Sequence, residues 1–288
     1  MTDEGSRRAS GSPPGGRPVR KDEIELPERG LYVESWLPER RSRRKPLLLV
    51  HGELAGSWVW ERWLSYFASR GWEGHALNLQ NHFWSQTADP EMLSFESYTE
   101  DVVATLERLG PSTVAVGHGL GGLLVLKAAE RLPVSAIVLV APEPPAEVRV
   151  PARPHVLADV PVAYGRSQVG WEVLPEKLLR EHRDLTLADV LRVQHLLGQK
   201  AHESGLARRQ VLQGIPVDRN AFEGIPILVL GAGLDRHVDV DGVEALADWL
   251  DADYEPFWAH SHYGLVLGEN GYLQAAETVR AFLETHRL

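Results

Sequence analysis

The part of the sequence most suggestive of chemistry is the string 116–122, Val-Gly-His-Gly-Leu-Gly-Gly, which lies between an apolar strand and an apolar helix. Glycines on both sides of a central residue permit a turn that is too sharp for a Cβ atom, and they let the next helix pack closely on the strand. This is the form of a nucleophile elbow. The central residue, Gly119, has no hydroxyl, thiol or carboxylate, so the pattern predicts the turn without the group that it normally presents.

The elements around this string must position whatever acts there. From about residue 24 the chain alternates short apolar runs with stretches of helical periodicity, which is typical of a sheet covered by helices. The run 134–140 is rich in valine, isoleucine and leucine, which indicates a strand buried on both faces at the centre of a parallel sheet. We therefore predict an α/β fold with a mostly parallel central sheet flanked by helices.

Composition divides the chain into a tail, a core and an insertion. The first residues are rich in Gly, Ser, Pro, Arg and Asp and contain almost no large apolar side chains, so we expect a disordered tail. After residue 142, closely spaced prolines break the alternation of strands and helices. Thr186 and Asp189 then fit a capping box at the start of a helix, which makes the insertion a mainly helical lid. The predicted partition is a tail at 1–22, a core at 23–142 and 219–288, and a lid at 143–218.

These motifs, taken with three others, resemble the α/β-hydrolase family, in particular its lipase, esterase and carboxylesterase-like members with a helical lid. His51-Gly52 follows an apolar strand, as the family's oxyanion-loop motif does. The stretch 228–235, Leu-Val-Leu-Gly-Ala-Gly-Leu-Asp, is similar to the strand and turn that present the catalytic acid. The stretch 261–264, Ser-His-Tyr-Gly, is similar to the turn that presents the histidine, and the order of the three sites is the family's order.

The resemblance implies a site in which Gly119 stands at a vacant nucleophile position, with Asp235 as the acid and His262 as the base. It also implies an oxyanion hole made by the backbone N–H groups of Glu53 and Leu120. The Glu53 side chain leaves the oxyanion hole open to question, because a carboxylate pointing inward opposes a developing negative charge and one turned to solvent does not. The residues expected to line the pocket are His51, Gly52, His118 and Trp58.

Two alternative interpretations of the glycines and histidines are disfavoured. A dinucleotide-binding glycine loop requires an acidic residue at the end of the next strand, but that strand runs into Ala141-Pro142. His118, His237 and His260 lack the spacing of metal ligands, so no metal site is predicted, and no cofactor is expected.

Composition narrows the classes of partner. The formal net charge of −10 disfavours nucleic acid, and the absence of cysteine excludes disulfides and thiol catalysis. No apolar stretch is long enough for a membrane span or fits a signal peptide, so a cytoplasmic location is expected. Tryptophans at 58, 60, 63 and 84 favour a small apolar or aromatic molecule as the ligand.

The missing hydroxyl restricts the function. Loss of the serine from a catalytic triad costs about a million-fold in turnover, so serine-dependent ester hydrolysis is expected to be absent or vestigial. One open function is a hydrolase homologue that binds a small apolar ligand under the lid. The other is an active hydrolase or lyase in which His262, oriented by Asp235, acts as a general base on water or on a substrate proton. A third alternative, that Gly119 was introduced by engineering, is decided by the encoding gene.

Overall fold

The apolar runs of the sequence become strands in the computed structural model, which describes residues 19–40, 42–199 and 202–288. The strands, in chain order, are β1 Val19–Leu26, β2 Leu31–Pro38, β3 Leu47–Val50, β4 Gly74–Asn78, β5 Val114–His118, β6 Ala136–Val140, β7 Ala163–Tyr164, β8 Glu203–Ser204, β9 Ile227–Ala232 and β10 Asp253–Phe257. Eight of them form one sheet in the order β1-β2-β4-β3-β5-β6-β9-β10, and β7 pairs separately with β8.

The large sheet is parallel from β4 to β10 and antiparallel where β2 meets β1 and β4. Strands β3, β5 and β6 are buried throughout, as expected for parallel strands covered on both faces. Because the carboxyl ends of parallel strands share one edge, the turns after β3, β5, β6, β9 and β10 meet there. The candidate site lies at this edge.

Helices cover both faces of the sheet. They are α1 Glu61–Ala68, α2 Phe95–Leu109, α3 Leu120–Ala129, α4 Pro154–Asp159, α5 Pro175–Glu181, α6 Leu187–Leu196, α7 Gly205–Gln213, α8 Val240–Leu250 and α9 Glu269–Thr285. Helices α1 and α9 pack on one face with the side chains of Leu47 and Leu49, and α2, α3 and α8 pack on the other with those of Leu48 and Val50. The alternation along β3 thus divides the core into two apolar layers.

The segment 143–218 lies between β6 and β9 and contains α4 to α7 together with the β7–β8 pair. The capping box at the start of α6 is formed, with the Thr186 hydroxyl accepting from the Asp189 N–H at 3.2 Å. Asp189 also joins this segment to α1 through an ion pair with Arg62 at 3.0 Å. We call residues 143–218 the insertion.

The first strand that the structure describes overlaps the end of the predicted tail. The tail was expected to reach residue 22, but β1 begins at Val19 and pairs with β2 over its whole length. Its sequence is polar because residues 20–23 of this edge strand are all exposed, which composition alone does not distinguish from a tail. The rest of the predicted tail, residues 1–18, lies outside the described residues. Within the described ranges, no helix is long and apolar enough to cross a membrane.

Candidate active site

Gly119 forms the turn between β5 and α3, with φ 56° and ψ −122°. That φ lies in the region that L-residues with a side chain rarely adopt. The neighbouring glycines are needed for close backbone approach, because a Cβ on Gly121 would lie 2.3 Å from the Val50 carbonyl oxygen, and one on Gly117 would lie 2.3 Å from the Gly121 carbonyl oxygen. The predicted sharp turn is therefore present, and Gly119 at its tip has no side chain to present.

His262 and Asp235 meet beside this turn. The His262 Nδ1 atom lies 2.7 Å from Asp235 Oδ2, and both side chains are buried. The other carboxylate oxygen of Asp235 accepts from the backbone N–H groups of His237 at 2.7 Å and Val238 at 3.0 Å. An Nδ1–H held by a carboxylate leaves Nε2 as the basic atom of the neutral ring.

The negative charge of Asp235 makes His262 a stronger base. Burial opposes ionisation of Asp235, but the positive charge and hydrogen bond of His262 outweigh burial and hold the pKa of Asp235 at about 2. Burial likewise opposes protonation of His262, but the Asp235 carboxylate outweighs it and raises the pKa of His262 above its usual 6.5. Asp235 is thus ionised throughout the physiological range.

His262 is directed at Gly119. A Cβ atom built on Gly119 would lie 3.1 Å from His262 Nε2 and 3.2 Å from its Cε1, so the ring is next to the turn. His118 packs against the same ring with centroids 4.2 Å apart, and its Nε2–H donates to the His262 carbonyl at 3.1 Å. Burial lowers the pKa of His118 well below 6.5, so this second ring is neutral and serves to support the first.

The loop 51–55 follows β3 and borders the same turn. The Gly52 carbonyl accepts from His51 Nδ1–H at 2.7 Å and from the Ala55 N–H, which fixes the peptide that joins Gly52 to Glu53. In the part of the chain that the structure describes, neither the Glu53 N–H nor the Leu120 N–H donates to a backbone or side-chain acceptor. These are the two donors that the sequence predicted for an oxyanion hole.

The Glu53 side chain points into the site and is shared with a buried ionic cluster. Arg208 of α7 binds Glu53 at 2.9 Å and Glu143 at 2.8 Å, and Arg149 pairs with the other oxygen of Glu143. Burial raises the pKa of Glu53, and Arg208 only partly opposes this. Burial also opposes ionisation of Glu143, but Arg208 and Arg149 outweigh burial and lower the pKa of Glu143. The orientation that the sequence left open is therefore inward, and the Glu53 charge that would oppose an oxyanion is paired with Arg208.

Two cavities adjoin these residues. The smaller, of about 30 Å³, is lined by Gly119, Leu120, His262, Glu53 and Glu143 among others, and is large enough for one or two water molecules. The larger, of about 680 Å³, shares both glutamates with the smaller one and opens beneath the insertion. Its wall includes Arg208, Arg236, Glu181, Asp159, His182, His237, Trp171 and Tyr164.

The cavity walls differ from the pocket that the sequence predicted. His51, Gly52, His118 and Trp58 line neither cavity; all four are buried behind them. Their small exposed fraction has a simple cause: His51 and His118 are used to hold backbone groups, and Trp58 belongs to the apolar core with the tryptophans at 60 and 63. The wall is rich in charge, so the tryptophans gave a wrong impression of its polarity.

Glu143 and Arg208 are the site residues that sequence reasoning missed. Glu143 comes three residues after the end of β6, at the sheet edge where sites form, and this position was a usable signal. Its N–H also donates to the Gly119 carbonyl at 3.0 Å. Arg208 lies on a helix of the insertion, and nothing in its local sequence distinguishes it from a solvated arginine.

Comparison with known proteins agrees with this fold. Residues 45–171 match the family model described as alpha/beta hydrolase fold. A thermophilic esterase from Thermogutta terrifontis superposes with a TM-score of 0.70 at 16% identity, covering 93% of this chain and 100% of that one. The bromoperoxidase from Bacillus anthracis superposes with a TM-score of 0.71 at 14% identity, covering 92% and 100%. The chain has the α/β-hydrolase fold.

Among curated α/β-hydrolase relatives, the similar proteins are plant esterases. Esterase PIR7B of Oryza sativa subsp. japonica is 36% identical over 105 residues, which is 35% of this chain and 39% of that protein. Methyl jasmonate esterase 1 of Vitis vinifera is 31% identical over 93 residues, which is 32% of this chain and 36% of that protein. The matched region thus spans well under half the length of these relatives.

Proposed function

We propose that this α/β-hydrolase homologue is a serine-independent enzyme in which His262 acts as a general base on water or on a substrate proton. The observation that carries the proposal is the hydrogen bond of 2.7 Å between His262 Nδ1 and Asp235, which leaves Nε2 facing Gly119. A retained base with a matched orienting acid does not require a nucleophilic side chain to remove a proton.

The small cavity supplies the space for the reacting atom. It is lined by His262, Glu53 and Leu120 among others, so a water molecule there is close to the base. For hydrolysis, Nε2 takes a proton from this water as its oxygen bonds to the acyl carbon, and the two N–H groups stabilise the carbonyl oxygen as it becomes an oxyanion. The bond from the acyl carbon to the alcohol oxygen then breaks, the carbonyl re-forms, and the alcohol leaves with the proton that His262 took from the water. No acyl-enzyme forms in this sequence of steps.

The ligand that this site accommodates is polar over part of its surface. Six of the side chains that line the larger cavity are carboxylates or guanidinium groups, and the apolar wall is limited to residues such as Trp171 and Val169. Buried or half-buried charges favour ligands that offer them hydrogen bonds, because a purely apolar ligand leaves them unsolvated. We therefore modify the apolar ligand expected from the sequence to one that also carries polar groups.

A second function, ligand binding without turnover, is favoured by one observation. The His262 ring contacts the space above Gly119 so closely that even a Cβ atom would be crowded there. In that case the ring fills part of the vacated volume, and the larger cavity alone takes the ligand. His262 would then have no proton to remove.

Hydrolysis of short-chain p-nitrophenyl esters separates the two functions. We expect slow turnover by the unmodified protein that falls at least about a hundredfold in His262→Ala, the range of a lost general base. His75→Gln is the matched control, since it replaces a buried histidine that lines neither cavity. Mass spectrometry of the quenched reaction should show no acylated protein. Turnover that is equal in His262→Ala would reject the proposal.

A further inference from the structure

A carboxylate of the insertion is buried beneath the 51–55 loop. Glu203 of β8 has a side chain only 2% exposed, and its oxygens accept from the Leu54 N–H at 2.9 Å, from the Tyr98 hydroxyl at 2.7 Å and from His82 Nε2–H at 3.0 Å. None of these groups lines either cavity except Leu54, which borders the smaller one. Glu203 thus connects the insertion to the site without reaching the reacting atoms.

The charge state of this cluster is set by its hydrogen bonds. His82 Nδ1–H donates to the Gln80 carbonyl at 2.8 Å, so a ring that also donates from Nε2 to Glu203 carries two protons. Burial opposes this charge, but Glu203 outweighs burial and raises the pKa of His82. Burial opposes ionisation of Glu203 too, but His82 and the other donors hold its pKa at about 2. The result is a buried ion pair of His82 and Glu203.

Leu54 is held by the insertion on both sides of its backbone. Its N–H donates to Glu203, and its carbonyl accepts from the Gly198 N–H at 2.8 Å. Leu54 also has φ 57°, a left-handed conformation that a leucine rarely adopts and that surrounding contacts must maintain. The Gly52–Glu53 peptide, which carries the Glu53 N–H, is held at its carbonyl by His51. The loop is therefore held on either side of Glu53, by His51 before it and by Glu203 after it.

We propose that Glu203 is a positioning residue that holds the 51–55 loop so that the Glu53 N–H faces the small cavity, and that docking of the insertion thereby completes the oxyanion-binding donors. Its catalytic consequence rests on the function proposed above, since the Glu53 N–H matters only where an oxyanion develops. The geometric part, that Glu203 controls the loop, is independent of any reaction. The two parts are tested by different measurements.

The geometric part is tested by backbone hydrogen exchange of Glu203→Gln. Each carboxylate oxygen of Glu203 accepts from two donors, so replacing one oxygen by an NH₂ group removes acceptors and loses the ion pair. We expect exchange in peptides that contain Leu54 to accelerate at least about tenfold. The matched control is Asp189→Asn, which weakens a different ion pair from the insertion to the core, the one with Arg62 of α1. Equal exchange at Leu54 in the two variants would overturn the proposal.

The catalytic part is tested on the same proteins by the kinetics of p-nitrophenyl ester hydrolysis. We expect Glu203→Gln to lower kcat about tenfold or more with little change in KM, because donors aimed at an oxyanion act mainly in the transition state. Asp189→Asn should leave kcat within about twofold. Faster exchange at Leu54 with unchanged kcat would refute the catalytic link. Absence of turnover in every protein, including the unmodified one, would refute the proposed function and leave the exchange result standing.

A milder variant covers the case in which Glu203→Gln does not fold. Tyr98→Phe removes one donor to Glu203 and leaves the ion pair and the Leu54 hydrogen bond in place. We expect a smaller acceleration of exchange at Leu54, about twofold to fivefold. Unchanged exchange in Tyr98→Phe, combined with unchanged exchange in a folded Glu203→Asp protein, would also overturn the proposal.

Discussion

His262 Nε2 lies 3.1 Å from the position of a Cβ atom on Gly119, close enough that a side chain there must displace the ring by a few tenths of an ångström. A serine at this position would bring its hydroxyl within hydrogen-bond reach of the ring. The φ of 56° adds strain for any residue with a Cβ atom. The turn therefore allows a triad to be rebuilt at some cost in stability.

We predict that Gly119→Ser loses about 1–2 kcal/mol of unfolding free energy and gains acyl-enzyme chemistry. The measurement is rapid-mixing hydrolysis of p-nitrophenyl acetate, in which one equivalent of p-nitrophenol per protein should appear as a burst. Gly119→Ala is the control, because it carries the same strain without the hydroxyl. A serine variant with no burst and no acylated peptide would show that the turn does not present its central residue to His262.

The ionisation of His262 gives a prediction that does not depend on knowing the substrate. The charge of Asp235 raises the pKa of His262, so the protonated ring persists above pH 6.5 and the basic form appears only at higher pH. Asp235→Asn removes that charge, and the midpoint should move to lower pH. The measurement is an NMR titration of the imidazole Cε1–H signal, assigned with His262→Ala. A midpoint that is the same in both proteins would mean that the two side chains do not interact.

Arg208 should matter to stability because two buried carboxylates share it. Its replacement by methionine leaves Glu53 without a cationic partner while Glu143 keeps Arg149. We expect a loss of about 2 kcal/mol, at the low end for a broken buried pair because Arg208 is 25% exposed. Urea unfolding at pH 7 measures the loss, and Glu53→Gln in the Arg208→Met background should recover part of it. An additive effect of the two substitutions would show that Glu53 and Arg208 are not coupled.

Buried neutral histidines predict that the protein weakens below pH 6.5. Burial lowers the pKa of His75 to about 4 and those of His51 and His237 to about 3. The unfolded chain takes up protons on these rings near pH 6.5 and the folded protein does not, so the free energy of unfolding falls as pH decreases toward 4. Each ring contributes a slope of about 1.4 kcal/mol per pH unit in this range.

The check is urea unfolding between pH 7 and pH 4.5 for the unmodified protein and His75→Gln. The variant should have a shallower dependence by the contribution of one ring. His75 is suited to the test because it lies in β4, where its Nδ1 bonds only the Ser35 hydroxyl at 2.8 Å, away from the candidate site. Identical slopes would mean that His75 titrates normally in the folded protein.

The features that the sequence predicted correctly depend on residues that are close together in the chain. The string around Gly119 and the Thr186–Asp189 capping box involve residues within a few positions of one another, and both are formed as expected. The fold itself, with buried β-rich runs between helices, was predictable for the same reason. The α/β-hydrolase assignment followed from the order of these local motifs.

The parts that sequence did not reveal depend on distant pairs. Glu53 and Arg208 are 155 positions apart, and His82 and Glu203 are 121 positions apart, so neither partner has a local signal that marks it. Glu203 lies in a two-residue strand that is too short for periodicity to indicate. The polarity of the larger cavity was misjudged because conspicuous tryptophans packed in the core, whereas ordinary glutamates and arginines formed the wall.

The two margins of the large sheet bear on how copies of this protein behave at high concentration. The outer strand β1 carries four consecutive charged residues that are all exposed, Arg20, Lys21, Asp22 and Glu23. The opposite outer strand, β10, contains Pro256, which has no N–H to offer. Neither margin is a good template for an added strand from another molecule. Growth of the sheet by recruitment of further chains, the usual beginning of fibrous aggregates, is thus discouraged at both ends.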